Sequence, residues 1–157
     1  MTDAFQGRVT RHAPQHKTTH LTGFAAPVAL VLHPRTNTFW IADAALHVVA
    51  EVPMTGKTLQ RIEIRSPKAL AIGPDGNCWV LTWRGIQPII TGQAERPIQK
   101  KIKFIANTPD VTALWSVSRK ELIYRFDADG IQRLLFALPD CKGVAGTPDG
   151  ECWLIIS

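Results

Sequence analysis

The stretch Ala71-Ile72-Gly73-Pro74-Asp75-Gly76-Asn77-Cys78-Trp79-Val80-Leu81 is nearly spelled again as Ala145-Gly146-Thr147-Pro148-Asp149-Gly150-Glu151-Cys152-Trp153-Leu154-Ile155. Pro, Asp, Gly, Cys and Trp recur in order, each 74 positions later. The shared Pro-Asp-Gly is a hairpin signal. Proline presets φ, aspartate bonds the backbone ahead of it, and glycine accepts a positive φ. Gly76 and Gly150 are therefore expected at positive φ, each between two strands.

Looser copies extend outward from this pair. Pro27-Val28-Ala29-Leu30, Pro67-Lys68-Ala69-Leu70, Pro109-Asp110-Val111-Thr112-Ala113-Leu114 and Pro139-Asp140-Cys141 place prolines 40, 42 and 30 residues apart. The 74-residue distance is thus two units of a tandem array, one of them short. The first unit contains the apolar runs at Val28–Pro34, Thr38–Ala44, Ala45–Val52 and Thr58–Ile64. The second contains Ala69–Gly73, Cys78–Trp83, Ile86–Gly92 and Ile98–Phe104. All are short, rich in β-branched, aromatic and aliphatic residues, and separated by turn residues. No stretch sustains a helical period.

The fold class is all-β. Four strands per unit of about 40 residues is the pattern of a β-propeller blade. It predicts a partial propeller of about 3.5–4 blades of four-stranded antiparallel sheets, with a sandwich or irregular barrel as the alternative. The expected blades are 25–64, 65–104, 105–138 and an incomplete 139–157, after a polar, basic segment 1–24. The third unit shows three strands and no Pro-Asp-Gly, as if one strand and its turn were deleted. About 13 strands follow Pro27, where four full blades need about 16. The run Cys152–Ser157 is apolar and lacks the next strands of its blade. Either Phe5–Thr10 and Thr18–Phe24 supply them, or another chain does, or the sequence is part of a longer protein that continues the blade, because a bare apolar edge aggregates.

The duplicated phrases, with Leu122–Asp140, resemble the blade repeats of streptogramin (virginiamycin B) lyase-like and NHL-type propellers. The resemblance covers Pro27–Ser157. It implies the fold, and it implies little about function, because such blades serve enzymes and scaffolds alike. The family's catalytic His and Glu belong to blades with no match here, so no catalytic residue is carried over.

The bulk numbers fit this picture. A chain of 157 residues with 45% hydrophobic residues can bury a core, and no apolar run is long enough for a bilayer span. Three cysteines and no apolar leader point to the cytoplasm and away from a disulfide framework. A net charge of +5 from scattered residues is too modest to imply nucleic acid as a partner.

The chemistry-bearing residues are few. His12, His16 and His20 are spaced four apart, which suits a metal only on a helix, and Pro14 argues against one. Asp43 closes a second strand, where propeller side chains reach the channel. The matching positions near Thr82-Trp83 and Ile156-Ser157 offer no carboxylate or imidazole. Asp43→Asn is therefore expected to leave stability nearly unchanged. These four residues are weak metal candidates, and neither a metal nor another cofactor is expected.

Trp40, Trp79 and Trp153 occupy matching places and read as inter-blade packing. Trp83, Arg84 and Trp115 fall outside the pattern and are the candidate binding residues, since Trp and Arg are enriched in hot spots. The expected function is a non-catalytic propeller module for protein–protein interaction or assembly, its propeller completed by a protein partner or by self-association. A lyase- or lactonase-like enzyme completed by oligomerisation and a carbohydrate-binding propeller are the alternatives.

Overall fold

The computed structural model describes residues 2–3, 7–12, 18–98, 101–127 and 132–156. Every regular element among them is a β-strand. The chain divides into two compact units, Met1–Ala69 and Leu70–Ser157.

The first unit holds two antiparallel sheets. β1 (Thr2–Asp3), β2 (Arg8–His12) and β3 (Thr18–Leu21) form one, in that order. β4 (Pro27–His33), β5 (Thr38–Asp43), β6 (Val48–Pro53) and β7 (Gln60–Glu63) form the other. Alternating side chains of strands point to opposite faces, so each sheet presents an apolar face to its neighbour. Val9 and Leu21 from the small sheet pack with Phe24, Ile41, Ala50 and Val52.

The second unit repeats the four-stranded meander. β8 (Ala69–Ile72), β9 (Cys78–Thr82), β10 (Gly85–Ile90) and β11 (Gln93–Ala94) form one sheet. β12 (Ile102–Asn107), β13 (Ala113–Ser118), β14 (Leu122–Asp127) and β15 (Gln132–Ala137) form the next. β16 (Cys141–Gly146) and β17 (Cys152–Ile156) make a two-stranded sheet. Trp79 of β9 meets Phe126 of β14 with ring centroids 5.3 Å apart. Trp115, Val117 and Ile123 pack on Cys141, Val144, Cys152 and Leu154 of the two-stranded sheet.

The duplicated turns are as expected. Gly76 has φ 78° and Gly150 has φ 83°, each in a hairpin between successive strands. Gly76 N–H donates to Gly73 O, and Gly150 N–H to Thr147 O. The third unit differs from its sequence reading. Ile98–Phe104 does not provide a fourth strand of the second sheet. Ile102–Asn107 is the first strand of the third sheet, which thus has four strands, and the second sheet ends on the two-residue β11.

The third sheet also has its turn. Thr108-Pro109-Asp110-Val111 folds as the Pro-Asp-Gly turns do, with Val111 N–H donating to Thr108 O and Val111 at φ 55°. Pro109 is therefore a turn proline. It does not precede a first strand as Pro67 and Pro139 do. The prolines at the first hairpin of the four sheets from β4 onward are Pro34, Pro74, Pro109 and Pro148. Valine hid the third turn, because a β-branched residue is strongly disfavoured in the left-handed region.

Candidate binding surface

Asp43 is fully buried at the end of β5. Its Oδ2 accepts from the Ala25 amide at 2.6 Å, and its Oδ1 from Ala45 at 3.0 Å and Leu46 at 2.9 Å. The Ala26 amide reaches both oxygens, at 3.1 and 3.2 Å. Burial pushes this carboxyl up, but the backbone donors Leu46, Ala25, Ala26 and Ala45 outweigh it and hold the pKa below its ordinary value.

The same place in the next two sheets is taken by Thr82 and Ser118. Thr82 Oγ1 accepts from Arg84 N–H at 3.2 Å, and Ser118 Oγ from Leu122 N–H at 3.1 Å. All three are buried oxygens that cap the turn between second and third strands. Asp43 is a turn cap whose oxygens are committed to the backbone, and the expectation that Asp43→Asn is harmless does not survive that geometry.

The described histidine side chains are dispersed. His16 and the side chain of His12 lie outside the described residues. His20 is exposed and its Nδ1 lies 3.2 Å from Thr10 Oγ1. His33 is buried, and its Nδ1 accepts from the Arg35 and Thr36 amides, both at 3.3 Å. His47 sits at φ 57° and its Nδ1 accepts from Ser66 N–H at 3.3 Å. Both thus serve turns. Among the described residues no three His, Cys, Asp or Glu side chains come together as a metal set. An open depression of about 600 Å³ in the first unit is lined by Leu46, His47, Val48, Glu63, Ile64 and Arg65.

Trp115 corrects its sequence reading. It is 4% exposed and belongs to the core between the third sheet and β16–β17. The turn before it is one residue longer than at Gly73–Asn77, since Thr108 N–H donates to Ala113 O. That insertion shifted Trp115 by one position and concealed its match to Trp40 and Trp79, which are each 6% exposed. Trp83 is exposed, with the Arg84 guanidinium 5.0 Å above its ring.

Trp153 goes the other way. It holds the same place in β17 as the three buried tryptophans, yet it is 75% exposed. Ile155 and Ile156 beside it are exposed at 66% and 57%. Leu134, Leu135 and Phe136 on β15, the outer strand of the third sheet, are exposed as well. These are exposed apolar residues of the second unit, and Trp153 is one that the sequence reading places in the core. In the second and third sheets the equivalent Trp packs on the sheet that follows.

Tandem four-stranded antiparallel sheets, each opening on a proline-bearing hairpin, define the β-propeller class. Among solved structures, the chain superimposes on virginiamycin B lyase from Staphylococcus aureus with a TM-score of 0.73 and 18% identity, covering 94% of this chain and 56% of that one. A streptogramin B lyase structure gives 0.74 and 16%, covering 94% and 55%. Hydrazine synthase from Kuenenia stuttgartiensis gives 0.68 and 22%, covering 92% and 47%. At these identities the likeness is one of fold. The chain spans about half the length of these structures. No family model matches it, and no curated protein does.

No helix among the described residues is long and apolar enough to cross a membrane.

Proposed function

We propose that this chain is a non-catalytic β-propeller module that works by docking protein on β17. The observation that carries the reading is Trp153. Three tryptophans at its structural position are at most 6% exposed, and it is 75% exposed, with Ile155 on the same face of the strand exposed at 66%. Exposed apolar surface of this kind marks an interaction site. The commitment of Asp43 to four backbone amides supports a scaffold over a lyase-like centre.

Trp83 with its stacked Arg84 is a second, smaller contact point in this proposal, supported by its exposure. A cytoplasmic site of action is part of it too, supported by Cys78 and Cys141 serving as buried core side chains.

The test is the native mass of the protein isolated from cells. It is expected above the chain mass, and to fall to the chain mass in Ile155→Asp with circular dichroism unchanged. A native mass equal to one chain, or one that Ile155→Asp leaves untouched, overturns the docking role. Cleavage of a streptogramin by the purified chain overturns the non-catalytic part.

A further inference from the structure

Strand direction sorts the charges of the second unit by end. Each of its sheets is an antiparallel meander, so the first strand begins where the second hands over to a third. The sheets are aligned with one another as well. At the close of β8 the Ile72 N–H donates to Asn107 Oδ1 at the close of β12, over 3.4 Å. Near the start of β12, Lys103 Nζ donates to Cys141 O at the start of β16, over 2.9 Å. β8, β12 and β16 therefore begin at one common end.

That end is basic. It holds Arg84 in the β9–β10 turn, Lys101 just before β12, Arg119 and Lys120 in the β13–β14 turn, and Lys142 at the start of β16. All five are exposed. The Arg119 N–H donates to Lys101 O at 2.6 Å, which sets two of these residues side by side. The anions there are half-buried Glu121 and exposed Asp140, the latter 4.0 Å from Lys142. Among the described residues, Arg84, Lys101, Arg119 and Lys120 make no ion pair. The end of the first hairpins is acidic instead, with Asp75, Asp110, Asp149 and Glu151, and there Arg125 and Arg133 lie 2.6 and 3.2 Å from Asp127. Cations that are scattered along the sequence are thus gathered by the fold.

We propose that this basic end binds an acidic segment of the partner protein. Its carboxylates meet Arg84, Lys101, Arg119, Lys120 and Lys142, and one of its apolar side chains meets the exposed Trp83. The inference rests on the docking role proposed above and gives the partner its chemistry at Trp83. Neighbouring cations without counter-charges repel one another, and an anionic partner relieves that repulsion while fixing its own register.

A protein segment fits this surface better than a nucleic acid does. The cations sit at the ends of separate sheets, which pack about 10 Å apart, and Glu121 and Asp140 lie among them. A strand with a phosphate at every residue meets those carboxylates, whereas a peptide places its charges at the cations alone. Trp83, with the Arg84 guanidinium 5.0 Å over its ring, offers a place for one side chain and no track on which successive bases stack.

The experiment uses the full chain and a fluorescein-labelled peptide of alternating glutamate and glycine with one central phenylalanine. Fluorescence anisotropy is expected to show saturable binding that weakens with added salt. Lys120→Glu is expected to lower the affinity about tenfold, and Arg133→Glu, an equal change of net charge at the acidic end, to leave it within about twofold. Trp83→Ala is expected to weaken this peptide and to leave unchanged a version with glycine in place of phenylalanine. Absence of binding overturns the proposal. So does equal weakening by Lys120→Glu and Arg133→Glu, which reduces the attraction to net charge. Tighter binding of an oligothymidylate than of the peptide overturns the acidic segment in favour of nucleic acid. The docking role on β17 has its own readout, the native mass and its response to Ile155→Asp, and stands or falls apart from these results.

Discussion

Asp43 Oδ2 lies 2.6 Å from the Ala25 amide, so one carboxylate ties the segment entering β4 to the β5–β6 turn that it also caps. Hydrogen bonds to a buried charged group contribute more than neutral ones, about 1.5–3 kcal/mol, and leaving donors unsatisfied adds to the loss. Asp43→Asn puts an amide NH2 among four N–H donors. Its expected cost is about 2–3 kcal/mol in urea unfolding, with Asp43→Ala at least as costly.

The same carboxylate gives stability a pH dependence of known sign. Its pKa is lowered in the folded chain, so its contribution is complete above the unfolded value, about 3.9. It is lost as the pH falls through the folded pKa. Unfolding midpoints are expected to drop below about pH 4, and the drop is expected to be shallower in Asp43→Asn. Equal slopes for the two proteins count against the assignment.

Val111 at φ 55° pays a conformational cost that a glycine avoids, and it recovers part of it by being buried at 3% exposure. Val117 is equally apolar and fully buried in a regular strand. Relief of the left-handed strain is worth about 1–2 kcal/mol. Val111→Gly is therefore expected to cost about 1–2 kcal/mol less than Val117→Gly. Gly76→Val, which creates the strain at φ 78°, is expected to destabilise by about the same margin.

Trp115 and Trp83 separate core from surface. Trp115→Ala is expected to cost about 3–5 kcal/mol, as large-to-small core changes do. Trp83→Ala is expected to stay within about 0.5 kcal/mol in thermal unfolding, since half the side chain is in water. A large loss at Trp83 shows that it packs, and then it is not available to a partner.

The strand content, the all-β class and the two glycine turns followed from local chemistry alone. Pro-Asp-Gly needs no distant contact to bend, and short β-branched and aromatic runs between turns have few alternatives. The array was legible wherever the turn chemistry was ordinary, at Gly76 and Gly150. It was lost at Val111, where tertiary packing holds a valine in a conformation its own preference opposes. That one residue, with the longer turn it sits in, moved Pro109 and Trp115 out of register and assigned Ile102–Asn107 to the wrong sheet. Only the tertiary structure decided the roles of the side chains, because burial depends on what lies across a face, and a strand's own sequence does not contain it. Asp43 is a turn cap because Ala25 and Ala26 reach it, and Trp153 is outside the core because it lies on the face of β17 opposite Cys152 and Leu154, which meet the third sheet.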